Sequence, residues 1–347
     1  MEKEKMSITS LLEKNILPDW LIRFGIRRLL KQRLKGETKG GVEIQHQRLM
    51  EFIKSLRTSP IAIHTDAANE QHYEVPTEFY KYVLGKRMKY SCAYYKEASD
   101  SLDQAEETML SMTCNRAELI NGQQILELGC GWGSLTLFMA EHFSKSKITA
   151  VSNSATQKIH IDAEAKRRGL KNVRIITADM NTFNIKSKFD RVVSVEMFEH
   201  MRNYERLMKN IAGWLKPKGK LFVHIFTHRD AAYPFEVRDE SDWMAKYFFT
   251  GGIMPSDSLL LYFTSDLTIE NHWRVSGAQY QRTSEDWLNN MDAHREQILP
   301  ILAKTYGESL ARRWWVYWRV FFMSCAELWG YRKGEEWIIS HYLFNKK

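Results

Sequence analysis

Glu196-Met197-Phe198-Glu199-His200 sets two carboxylates and an imidazole within one short stretch. Imidazole beside carboxylate is the combination that moves protons near neutral pH. The same residues also suit a quieter arrangement, a hydrogen-bonded histidine with glutamates at a helix N-terminus, where negative charge is favoured anyway. A second chemical signal is Ile125-Leu126-Glu127-Leu128-Gly129-Cys130-Gly131-Trp132-Gly133-Ser134, an apolar run followed by three alternating glycines. Such glycines let the backbone turn sharply and approach a ligand where a Cβ would collide with it. Taken alone the pattern also fits a tight turn, or the start of a dinucleotide site, although Gly133 falls one position early for GxGxxG. His224 and His228 are four apart at a strand end rather than on a helix, so they make no metal pair.

Both motifs need a sheet to hold them. From about residue 120 short apolar runs alternate with helical patterns: 124–128, 148–151, 173–176, 192–195 and 221–225. Strands separated in this way predict right-handed βαβ units and a doubly wound, mostly parallel α/β sheet. The glycine turn then follows the first strand, and Glu196 to His200 lie at the end of the fourth. Further strands are predicted over Leu267–Trp273 and Trp337–Phe344, with helices over 284–330. Before residue 120 the chain reads as helical, in amphipathic stretches 44–56, 77–84 and 102–119 punctuated by Pro18, Gly40-Gly41, Pro60 and Pro76.

With 347 residues, 44% of them hydrophobic and 27% charged, the chain is too apolar for disorder. It lacks the roughly 18 uninterrupted apolar residues of a membrane span. The beginning, MEKEKMSITS, reads as unprocessed and unsecreted, which points to the cytoplasm. Four scattered cysteines without a CxxC pair fit reduced thiols rather than a disulfide framework or zinc site. The net charge of +8 clusters once, over Trp20–Lys35, an amphipathic helix with Trp20, Leu21, Phe24 and Leu30 among its apolar residues. That helix suits either a membrane or nucleic-acid surface or, more simply, packing on the body with a solvated basic face.

Beyond the glycine turn, a second strand ends in Ser152-Asn153 and Ala178-Asp179-Met180 follows the third. This order resembles class I (Rossmann-like) methyltransferases and favours S-adenosylmethionine over NAD. The usual acidic residue ending the second strand is replaced by Ser152-Asn153-Ser154, with Gln157 beyond. Together with His72-Tyr73-Glu74-Val75-Pro76, the segment Leu84 to Tyr94 (LGKRMKYSCAY) and EMFEH, the chain resembles the cyclopropane fatty acid synthase superfamily. Over nearly its full length it is most similar to the plant coclaurine N-methyltransferase family. The resemblance implies that Tyr90 and Ser91 contact the methionine end of S-adenosylmethionine. Ser152, Asn153 and Gln157 meet the ribose and Asp179 the adenine, with Glu127, Gly129, Gly131, Gly133, Met180 and Val195 completing the set. It further implies an acid–base pair, Glu199 and His200, acting on a substrate amine, and Glu196 as an anionic contact. No metal is expected.

An alkylamine with a pKa near 10.4 is mostly protonated near pH 7, and reaching its neutral form costs roughly 4 to 5 kcal/mol, so a neighbouring base has work to do. The expected partner is a small arylalkylamine or benzylisoquinoline-type amine, with neither nucleic acid nor membrane involved; a homodimer is left open. The competing reaction in the superfamily is cyclopropane formation on phospholipid acyl chains, which requires a bicarbonate held in a polar cage. Cys92, Glu199 and His224 match cage elements, but the helix expected to supply a late tyrosine reads Tyr317-Trp318-Arg319-Val320-Phe321-Phe322, leaving only Tyr317 to substitute. Nine of the eleven tryptophans fall at or after Trp214, so an aromatic pocket is expected, with Tyr80, Phe248, Phe249 and Phe322 in its wall. The expected organisation is a helical extension and cofactor lid over 1–118. A methyltransferase core over 119–347 then carries a substrate cap at about 227–265 and 284–330.

Overall fold

A computed structural model describes residues 8–13, 15–63, 75–237 and 242–347. His72, Tyr73 and Glu74 of the HYEVP motif lie outside the described residues. The leading helices are α1 (Ile8–Glu13), α2 (Asp19–Glu37), α3 (Gly41–Thr58), α4 (Thr77–Val83) and α5 (Leu102–Arg116). Ser101 and Gln104 close a reciprocal capping box at the start of α5, satisfying donors that the first turn leaves open.

The core follows as β1 (Gln124–Leu128), α6 (Ser134–His142), β2 (Lys147–Ser152), α7 (Ala155–Arg167), β3 (Val173–Thr177), β4 (Phe189–Val195), α8 (Tyr204–Trp214) and β5 (Leu215–His228). After β5 come the short strands β6 (Tyr233–Pro234) and β7 (Ile253–Met254), flanking α9 (Trp243–Tyr247). The chain ends with β8 (Leu267–Val275), α10 (Gly277–Ala293), α11 (Arg295–Tyr306), α12 (Glu308–Trp329) and β9 (Trp337–Lys346). The helical run expected over 284–330 is thus three helices beginning at Gly277.

The main sheet has seven strands in the order β3-β2-β1-β4-β5-β9-β8. The first five run parallel, and β9 enters antiparallel between β5 and β8. Strand order reverses between β1 and β4, whose ends meet at Leu128 opposite Ser194. In such sheets the crevice beyond the carboxyl ends of those two strands is where ligands bind. The glycine turn and Glu196 emerge on its two sides.

The two apolar layers differ in composition. One, rich in rings, is built from α4, α10, α11 and α12, with Trp287, Trp315, Trp318 and Phe322 buried in it. The other packs α3 and α8 under the sheet around Leu126, Phe198, Tyr204 and Tyr342.

Helix α2 lies against this body through Ile22, Ile26 and Leu30. Two of its cations pair with acids of the body: Arg23 binds both Glu285 oxygens at 2.6 and 2.7 Å, and Arg27 reaches Glu327 at 2.8 Å. Three apolar residues point differently from their sequence-based placement: Trp20, Leu21 and Phe24 are exposed. The body-facing stripe is Ile22, Ile26 and Leu30, and the same docking sets Arg23 beside acids of α10 and α12. Among the described residues no helix is long and apolar enough to cross a membrane.

Candidate active site

A cavity of about 1870 Å³ runs from the glycine turn, past Glu196, to the aromatic helices and the inner side of α2. At one end Gly129, Gly131 and Gly133 adopt φ of 79°, 51° and 83°. These values are the left-handed region, which costs other residues roughly 1 to 2 kcal/mol. A Cβ on Gly129 would also lie 2.6 Å from the Met197 side chain. The turn is therefore closed to side chains and open to a ligand.

Around it Tyr90, Ser91, Glu127, Gly129, Gly131, Ser152, Asn153, Gln157, Asp179, Met180 and Val195 all reach the cavity wall. Gly133 does not; it is the residue before α6, packed against Ile161. Ser152 Oγ donates to Gln157 Oε1 at 2.6 Å, leaving the Gln157 amide nitrogen buried without a partner. Ser134 Oγ and the indole nitrogen of Trp132 are buried and unpartnered as well. Orphaned polar atoms beside an open glycine turn are what a bound polar ligand would satisfy, so these residues fit S-adenosylmethionine. Burial pushes the Glu127 carboxyl up to about 8, with Thr136 Oγ1 donating to it at 2.5 Å.

At the junction of the two halves stands Glu196, held at φ 47° directly after β4. Its Oε1 accepts from the Cys92 backbone N–H at 2.9 Å and lies 3.2 Å from His224 Nε2. The Tyr280 hydroxyl donates to Oε2 at 2.7 Å. The Tyr280 ring lies flat on Trp329, their centroids 4.8 Å apart. Lys89, itself buried, donates to Ser91 Oγ and to the Cys92 carbonyl. Burial raises the Glu196 pKa, and the Lys89 charge opposes that rise. Burial lowers the Lys89 pKa in turn.

A 3-10 turn over Phe198–His200 follows. His200 faces the cavity and stacks on Phe249, ring centroids 4.8 Å apart. Burial pushes its pKa down to about 4, so the imidazole is neutral throughout the physiological range. Glu199 sits behind the wall rather than in it. It is fully buried, accepts the Phe226 N–H at 2.8 Å through Oε1, and has no hydrogen-bond partner for Oε2. Burial drives its pKa well up, favouring the protonated carboxyl.

The aromatic wall differs from its sequence-based assignment. Phe249 lines the cavity, but Tyr80, Phe248 and Phe322 do not; each is wholly buried. Tyr80 packs on Trp132 and Tyr90, Phe248 on Phe321, and Phe322 on Trp287. The wall is made instead by Phe226, Tyr280, Trp287, Phe321 and Trp329. Tyr317 is no cage residue either, because its hydroxyl donates to Glu13 at 2.6 Å. Lys89 lay inside the LGKRMKYSCAY motif and could have been singled out as a cation beside it. Nothing local marked Tyr280.

A parallel sheet with a glycine turn after β1, orphaned donors around it and a glutamate–histidine corner after β4 defines a class I S-adenosylmethionine-dependent methyltransferase. The family model described as mycolic acid cyclopropane synthetase matches residues 62–333. An (S)-coclaurine N-methyltransferase of Thalictrum flavum subsp. glaucum is 42% identical over 340 residues, covering 97% of this chain and 94% of the relative. Its counterpart from Papaver somniferum is 39% identical, covering 99% of each chain. A crystal structure of a coclaurine N-methyltransferase bound to N-methylheliamine and SAH superposes with a TM-score of 0.95 at 40% identity, over 98% of this chain and 99% of that one. The chain belongs to the coclaurine N-methyltransferase family.

Proposed function

We propose that this enzyme methylates the nitrogen of a small aromatic amine of benzylisoquinoline or arylalkylamine type. The observation that carries this reading is the position of a carboxylate and a neutral imidazole, Glu196 and His200, where the glycine-turn end of the cavity opens into its aromatic end. S-adenosylmethionine supplies the electrophilic methyl group when bound. Tyr90 and Ser91 hold its methionine end, Ser152, Asn153 and Gln157 the ribose, and Asp179 the adenine. Glu127, Met180, Val195, Gly129 and Gly131 line the same end of the cavity, and Gly133 shapes the turn.

The amine arrives as its ammonium and meets Glu196, while Trp329 and Tyr280 offer ring faces to the same charge. His200 takes the proton and frees the lone pair. With S-adenosylmethionine bound, the freed nitrogen would face its methyl group, and the alignment that Glu196 and the ring faces impose on the amine would supply much of the rate. Glu199 acts from behind the wall, through the turn that carries His200.

Helices before residue 118, α2 above all, serve as the lid, and the cap segments 227–265 and 284–330 complete the amine chamber. A reducing cytosol suits the four free thiols. Two relatives are coclaurine N-methyltransferases, and the solved one holds N-methylheliamine and SAH.

The test is transfer of a labelled methyl group to a panel of tetrahydroisoquinolines, phenylalkylamines and unsaturated phospholipids in parallel. Label on amine nitrogen supports the reading, and label only in acyl chains overturns it. A sedimentation run in the same preparation reports whether the enzyme is a homodimer.

A further inference from the structure

Among the described residues three buried donors from separate parts of the chain converge on the Glu196 carboxylate. The Cys92 backbone N–H and His224 Nε2 meet Oε1, and the Tyr280 hydroxyl meets Oε2. The His224 imidazole is neutral because burial lowers its pKa, and its proton is assigned to Nε2, where a lone pair would face the carboxylate. Each donor is itself fixed. His224 pairs with Val195 across β4 and β5, and its carbonyl accepts the Glu196 N–H at 2.8 Å. The Cys92 carbonyl accepts from Lys89 at 2.8 Å, and Ala93 beside it donates its N–H to Thr283 at 3.1 Å. Thr283 and Tyr280 stand one turn apart on α10, so one helix face both pins this loop and carries the phenol. The Tyr280 ring, flat on Trp329, also makes an edge contact with Trp287 at 5.9 Å between centroids.

The backbone of Glu196 is left-handed at φ 47°, a conformation that residues with a Cβ keep where their surroundings hold them. Here the surroundings hold the side chain. A carboxylate accepts at about four positions, so two donors on Oε1 and one on Oε2 leave a last position, on Oε2. Without the Glu196 side chain the same three donors would be buried and lack an acceptor, which is the condition that draws in an anion.

We propose that the Cys92 N–H, His224 and Tyr280 form a carboxylate receptor that Glu196 fills from within, and that Tyr280 is the positioning residue that turns the last acceptor position of Oε2 towards the amine. The proposal rests on the reading of Glu196 as the contact for the substrate cation. The groups that face Glu196 are Lys89 and Cys92 from the loop after α4, Glu199 and His200 from the 3-10 turn, His224 from β5, Tyr280 from α10 and Cys325 from α12. Lys89 supports the ionised carboxylate by its charge, but its amino group donates to Ser91 and the Cys92 carbonyl, so it sets no direction for Oε2. Tyr280 does. Emptied of Glu196, the receptor takes a small free carboxylate such as acetate.

The experiment is amine methylation across pH by the full-length enzyme, comparing Y280F, E196G and the double variant, with acetate titrated at constant ionic strength. Y280F keeps the ring and removes the donor. Glycine suits a left-handed backbone, so E196G empties the receptor without straining the turn. Losing a hydrogen bond to a charged group lowers kcat/KM for the amine in Y280F by about ten- to hundredfold at acid pH. The acid limb of its profile moves up by about one pH unit, because the ionised carboxylate has lost a donor, and the loss shrinks towards alkaline pH. Acetate restores E196G saturably by about tenfold or more, chloride does not, and the restoration is about tenfold weaker in the double variant. SAH binds all three variants as it binds the parent, which reports an intact cofactor end.

A Y280F profile parallel to that of the parent, an E196G variant indifferent to acetate, or restoration that ignores Tyr280 overturns the receptor while leaving the role of Glu196 standing. Full amine activity in E196G without acetate overturns the reading on which the receptor depends. Y280F alters one hydroxyl, so its pH profile keeps the test open if E196G does not fold.

Discussion

Removing Phe249 should change how activity depends on pH. The Phe249 ring covers the His200 imidazole, with the two planes 24° apart, and burial pushes the His200 pKa from 6.5 down to about 4. In F249A water reaches the imidazole and the pKa climbs back towards 6.5. At about pH 5.5 an imidazole with pKa 4 is roughly 97% neutral and one with pKa 6.5 is roughly 9% neutral, a tenfold difference in available base. At about pH 8.5 both are neutral. Phe249 also lines the pocket, so F249A loses some amine affinity, but that loss is shared by both pH values. Dividing the variant's kcat/KM by that of the parent at each pH cancels it, along with the protonation of the substrate. The ratio should fall about tenfold from the alkaline to the acid measurement. A ratio that is the same at both ends would refute the claim that a buried, neutral His200 takes the proton.

Glu127 makes a different kind of prediction. Its buried carboxyl keeps a proton up to about pH 8 whereas the unfolded chain releases it near 4.5, so its contribution to stability is complete at acid pH and is lost as pH rises through that window. In protein free of cofactor, thermal unfolding of the parent should weaken relative to E127Q between those limits, and parallel unfolding curves would contradict this. F322A should cost about 3 to 5 kcal/mol in denaturant unfolding, because the ring is wholly buried against Trp287 and Trp318. Its KM for the amine should change less than that of F249A, and the reverse order would restore Phe322 to the pocket wall.

The glycine turn and the EMFEH corner were legible because their chemistry is local: each is a short stretch whose backbone leaves a parallel strand at a fixed place. The strands were legible for a related reason, since apolar runs such as Gln124–Leu128 are buried on both faces. The aromatic wall was not. Phe248 and Phe249 are neighbours in sequence, yet one is stacked on Phe321 within the core and the other covers His200. Composition places rings near the pocket but cannot tell which ring faces it. Glu199 and His200 divide in the same manner, one behind the wall and one in it, because the 3-10 turn rotates successive side chains by about 120°. Tyr280 was invisible to any window of sequence. It reaches the site only through the packing of α10, which brings its hydroxyl to Glu196.

The scaffold shared with cyclopropane synthases makes the sign of charge at the junction decisive. A bicarbonate cage needs donors that converge on an anion. Here the Cys92 thiol donates to the Ala93 carbonyl, His224 is engaged by Glu196, Glu199 accepts from Phe226 and Tyr317 is turned to Glu13. Lys89, a cation beside the junction, donates to Ser91 Oγ and the Cys92 carbonyl. What the junction offers a ligand is therefore the Glu196 carboxylate among aromatic faces. A unit charge at 4 Å from it gains or loses about 4 kcal/mol at an effective dielectric of 20, so an ammonium is drawn in and a bicarbonate turned away by comparable amounts. The same carboxylate that attracts the ammonium also stabilises its charge, which opposes deprotonation. The proposed mechanism therefore needs a neutral base beside it: burial keeps His200 uncharged but also weakens it as a base, and the Glu196 charge opposes that weakening.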